Sequence, residues 1–102
     1  MKELRELADS LKQKIATGVI ILGARSNGKA ILVAAVTKNL IRRISAESII
    51  KKLAPLIGGG GGGRPDFAQA GGPYPERLDS ALKKIPAILD EMMPPEITPK
   101  GD

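Results

Sequence analysis

Two stretches of this chain have the glycine spacing of phosphate-binding loops. Gly23-Ala24-Arg25-Ser26-Asn27-Gly28-Lys29-Ala30 comes one residue short of G-x-x-x-x-G-K-[ST], because Ala30 stands where a hydroxyl would hold magnesium. Ile31-Leu32-Val33 follows and reads as strand, whereas a phosphate loop must open a helix. Asn27-Gly28 between two apolar runs reads instead as a hairpin turn, since a two-residue primed turn needs positive φ at both centres. The six glycines Gly58 to Gly63 also satisfy G-x-G-x-x-G, as any six would. They follow a helical pattern rather than a strand, and Arg64-Pro65 comes next, so the dinucleotide reading fails on context too.

What remains is charge. The 102 residues carry 16 Lys and Arg against 11 Asp and Glu, a net charge of +5, with no His and no Cys. That excludes zinc fingers, redox thiols and any mechanism with a histidine base, and no convergent acid, base and nucleophile set is visible. No cofactor is implied. A cysteine-free chain is at ease in the cytosol, and a cytoplasmic location is expected. The apolar runs fall far short of the ~20 residues a membrane helix needs, and no charged-then-apolar signal peptide is expected from a start this densely charged. Phosphate contact is the chemistry these residues suit best. The candidates are Arg64 beside the glycines, Arg25 and Lys29 at the hairpin, Lys38 with Arg42 and Arg43, and Lys51 with Lys52. Lys83 and Lys84 read as a solvated helix face. With one Phe, one Tyr and no Trp, the chain has too few aromatics to stack a splayed single strand.

The elements that must position these groups follow from periodicity. Leu4, Leu7, Leu11 and Ile15, with Ala8, form a helical stripe, with a possible Arg5–Asp9 surface ion pair. Gly18 is read as a left-handed cap or the start of a strand. Val19 to Leu22 fits a strand buried on both faces, and Ile31 to Val36 returns as the second strand. A short extended piece is expected among the basic residues 38–43. Ser45 is a plausible N-cap for a helix whose stripe is Ala46, Ile49, Ile50, Leu53 and Ile57, with Pro55 tightening the last turn. Phe67 to Ala70 reads as a short strand, and Phe67 as core. Pro75 opens another helix faced by Leu78, Leu82 and Ile85 and broken near Pro86. The sum is an α+β domain: a small central sheet with a β-hairpin, packed helices, and a Gly-rich loop before a short strand.

Six ordered glycines lose much backbone entropy, so an ordered run needs a compensating use. Flexible linker, close backbone packing and a concave anion site beside Arg64 stand level on physical grounds.

The string GGGGGGRPDFAQAGG, Gly58 to Gly72, resembles the signature of the globular C-terminal domain of alanyl-tRNA synthetases. A related small domain is appended to phosphoesterases that carry an Asp-His-His motif. There a His and a small-residue run follow the glycines, whereas this chain has Arg64-Pro65-Asp66 and Gln69. One departure from the family is that its glycine run more often contains a polar residue. The resemblance implies a non-catalytic domain that grips the elbow of alanine tRNA and helps upstream aminoacylation and editing domains act on it. It also implies that residues 1–16 are the tail of an upstream helical segment, which in some members dimerises. Residues 17–93 would then be the tRNA-binding domain and 94–102 a flexible tail. Glycines 58, 59, 60, 61, 62 and 63 would offer a surface free of side chains, and Asp66 and Gln69 would hold the loop. The alternatives are the nucleic-acid-binding domain of an Asp-His-His phosphoesterase and a dimerisation module built on the first helix.

Overall fold

In the computed structural model, which describes residues 2–92, four antiparallel strands form one sheet with helices on both faces. Helix α1 (Lys2–Lys14) precedes the hairpin of β1 (Val19–Ser26) and β2 (Lys29–Val36). Its turn has Asn27 at φ 53° and Gly28 at φ 74°, both positive as the primed turn requires. Helix α2 (Ala46–Leu53) and a 3₁₀ turn (Ala54–Ile57) lead to β3 (Gly60–Gly63) and β4 (Phe67–Gly72). A 3₁₀ turn at Pro75–Arg77 then opens α3 (Leu78–Lys83), followed by α4 (Ile85–Met92). The strand order is β1-β2-β4-β3.

Cross-strand partners share a face, so the register assigns the two sides of the sheet. Leu32, Ala34, Val36, Ala68 and Ala70 face α2, whose Ala46, Ile49, Ile50 and Leu53 are buried against them. Ser45 caps α2: its Oγ accepts from the Ser48 N–H at 3.1 Å. The opposite face carries Val33, Ala35, Ile20, Leu22 and Phe67, on which α1 lays Leu4 and the fully buried Ala8. The α1 stripe is used unevenly, because Leu7 is 50% and Ile15 39% exposed. Arg5 is turned over the Phe67 ring, 5.7 Å from its centre, rather than toward Asp9.

Three local expectations are corrected. The glycine stretch is not a loop throughout, since Gly60 to Gly63 pair along β4 as the outer strand. Val19 to Leu22 is only half-buried: β1 is the opposite edge of the sheet, and the run buried on both faces is Leu32 to Val36 of β2 at its centre. Residues 38–43 hold a 3₁₀ turn at Lys38–Leu40, not an extended piece. Of the two readings of Gly18 the strand entry holds, its N–H donating to Thr37 Oγ1 at 3.1 Å and its carbonyl accepting from the Thr37 N–H. The expected tail, 94–102, lies outside the described residues.

Candidate nucleic-acid interface

The glycines from Gly59 to Gly63 divide into two sets. A Cβ built on Gly59, Gly61 or Gly63 would lie 2.6 Å from Gly72 Cα, Ala70 Cα or Ala68 Cα respectively, closer than any side chain tolerates. A Cβ on Gly60 or Gly62 would meet nothing within 4 Å. Alternate side-chain directions along a strand explain the rhythm. One set lets β3 lie against the backbone of β4. The other set points to open space, on the side of their partners Gly71 and Gln69. Gly58 has a third reason: it ends the 3₁₀ turn at φ 76°, and the Tyr74 ring lies where its Cβ would be.

The open side is the part of the sheet that α1 leaves bare, for α1 lies on β1 and β2. Gly60, Gly62 and Gly71 form a floor without side chains, and Gln69 and Phe67 continue it. One wall is α1, with Lys2 and Arg5; Arg64 stands at the end. The hollows here measure about 340 Å³ and 280 Å³. Glu6 and Asp9 line the first of them alongside the cations, whereas the second, over Gly62 and Gly63, has Arg5 and Arg64 and no acid.

Arg64 is set by a fastened turn. Arg64 and Phe67 exchange backbone hydrogen bonds of 2.9 and 3.3 Å around Pro65-Asp66. The Pro65 carbonyl accepts from the Ala46 N–H at 2.7 Å, and the Asp66 carbonyl from the Val36 N–H at 3.0 Å. The first of these satisfies one of the donors that the start of α2 leaves open. Asp66 then reaches Arg64 Nε and Lys12 Nζ, each at 3.4 Å. The turn is thereby tied to α2, β2 and α1, and Asp66 holds it as expected, whereas Gln69 lines the hollow beside the floor.

Two groups of the expected cations lie elsewhere. Arg25 and Lys29 lie at the hairpin end of β2, about 20 Å from the Arg64 end at ~3.3 Å per residue. Arg25 is spent on structure: its Nε donates to the Pro75 carbonyl and its Nη2 to Asp79, both at 3.2 Å. Lys51 pairs with Glu47 and Lys52 with Glu91, on the far face of the molecule. Lys38, Arg42 and Arg43 follow the end of β2 and share the Arg64 end of the sheet. Sequence reading missed Lys2 and Arg5. The signal for them was available only through α1's packing, which no helical stripe specifies. Among the described residues no three His, Cys, Asp or Glu come together to hold a metal, and no helix is long and apolar enough to cross a membrane.

A family model for the DHHA1 domain matches residues 1–91. The chain belongs to the DHHA1 family. Curated relatives of this DHHA1 domain include the alanine–tRNA ligase of Desulfosudis oleivorans, 52% identical over 79% of the chain, and that of Alkaliphilus metalliredigens, 47% over 91%. The chain spans only 9% and 11% of those proteins. The crystallised C-Ala domain of Aquifex aeolicus alanyl-tRNA synthetase superposes with a TM-score of 0.77 at 35% identity, covering 90% of this chain and 79% of that one. The likeness to the synthetase domain expected from Gly58 to Gly72 therefore holds in sequence and in fold, as does the α+β architecture.

Proposed function

We propose that this DHHA1 domain is a tRNA-gripping domain of an alanine–tRNA ligase, holding the tRNA elbow while other domains of the same protein carry out aminoacylation and editing. In this reading α1 is the end of an upstream helical segment, and the domain supplies no catalytic residue. The relatives' names supply the ligase and its tRNA. The observation that carries the reading is the floor of Gly60, Gly62 and Gly71 beside Arg5 and Arg64. A side-chain-free floor admits a flat or ridged surface at van der Waals distance, as a folded RNA presents, and the cations meet its phosphates.

The test is gel mobility shift of the 102-residue chain with tRNA and with single-stranded DNA. Tighter binding of tRNA, weakened at least tenfold by Gly62→Leu with thermal unfolding unchanged, is expected. Equal binding of both nucleic acids, or an indifferent Gly62→Leu, overturns the reading. Gly61 is unsuitable as the probe, because its substitution drives a side chain into β4.

A further inference from the structure

Gln69 stands mid-strand in β4, with Val33 of β2 on one side in the register and Gly62 of β3 on the other. Val33 is fully buried in the cluster with Ala8 of α1, and Gly62 has no side chain. Gln69 lines the hollow of about 280 Å³ together with Arg5 and Arg64, on the same side of the sheet as the glycine floor. Among the described residues its amide has no hydrogen-bond partner, so it does not fasten the turn. The residue is half-buried, yet no side-chain nitrogen or oxygen is buried there without a partner, so the amide reaches the surface. Of the described residues lining the two hollows, Gln69 alone is uncharged and able both to donate and to accept hydrogen bonds.

The parts of this surface read different features of a polynucleotide. Arginines meet phosphates, which RNA and DNA share, and bare glycines admit a shape. An amide matches a phosphate poorly, because the amide oxygen finds no donor on it. A hydroxyl, like the amide, both donates and accepts. Along an RNA strand the ribose lies between successive phosphates. The wide, shallow minor groove of an RNA helix displays the 2′-hydroxyls to a flat surface, and they are the groups that DNA lacks. We infer that Gln69 hydrogen-bonds a ribose 2′-hydroxyl of the strand whose phosphates Arg5 and Arg64 hold, and so selects RNA over DNA. This rests on the proposed tRNA reading and names the group in that site that tells the two polymers apart.

The experiment is fluorescence anisotropy of the 102-residue chain with tRNA and with a DNA copy of the same sequence, for wild type, Gln69→Leu, Gln69→Met and Gly62→Leu. Leu keeps the size of Gln69 and removes its donor and acceptor; Met, unbranched like Gln, repeats the test if thermal unfolding shows that Leu disturbs β4. Both Gln69 variants are expected to lose roughly two- to tenfold in tRNA affinity, the worth of one net hydrogen bond, and nothing in DNA affinity. Their slope of log K against log salt should match wild type, because no charge is removed. Equal wild-type affinity for tRNA and its DNA copy, or a Gln69 effect that is absent or common to both, overturns the inference. The tRNA reading still stands in those cases if Gly62→Leu weakens tRNA binding. If Gly62→Leu is indifferent, the reading fails and the inference fails with it.

Discussion

Gly61→Ala puts a Cβ 2.6 Å from Ala70 Cα, with the Gln69 carbonyl closer still, so β3 must move off β4. Overpacking of this kind costs about 1–3 kcal/mol. At about 4–8 °C per kcal/mol for a domain of this size, Gly61→Ala should lower the melting temperature by several degrees to about 20 °C. Gly62→Ala has open space, and replacing glycine at a compatible position stabilises by about 0.4–1 kcal/mol through the unfolded chain. Its melting temperature should rise slightly. Circular dichroism of the two variants side by side checks this, and equal shifts would show that β3 does not lie against β4 as described.

Among the elements, the turn between β3 and β4 makes the sharpest claim. Removing the negative charge of Asp66 should, on electrostatics alone, improve binding to a polyanion. If Asp66 instead aims Arg64 and ties α1 to the turn, the neutral variant binds less well. We expect Asp66→Asn to weaken tRNA binding severalfold while changing stability by less than about 1 kcal/mol, because its two ion pairs are partly exposed. Tighter binding would remove its positioning role. This scale also shows what the sequence could tell. Asn27-Gly28, Ser45 and the stripe from Ala46 to Ile57 carry their geometry in local chemistry, and each forms the turn, cap or helix its residues dictate. The glycine strand was hidden for the opposite reason: glycine has no side chain to alternate, so period two cannot be written in it. Only the partner strand Phe67-Ala68-Gln69-Ala70 carried the pattern. The partners of Arg25 were out of reach of local reading because its neighbours in the chain are not its neighbours in the fold; Pro75 and Asp79, which hold it, are 50 and 54 residues away.

For the whole molecule the question is how much of the +5 charge a polynucleotide feels. If all 16 cations contributed at roughly 0.7–0.9 each, log K would fall more than ten units per decade of salt. The geometry places Lys2, Arg5 and Arg64 at the floor, with Lys51 and Lys52 turned away and paired. A slope of roughly −2 to −3 is therefore expected, and Lys51→Gln with Lys52→Gln should leave it unaltered. A much steeper slope would mean a diffuse charge cloud in place of a defined footprint.

The two-fold rhythm of β3 also makes the strand its own internal control for sequence variation. A library randomised from Gly59 to Gly63 and sorted only for survival against protease should stay monotonous at 59, 61 and 63 and diversify at 60 and 62. Sorting the same library for capture on immobilised RNA should restore glycine at those two positions. Subtracting one profile from the other would outline the contact surface letter by letter, without a complex ever being crystallised.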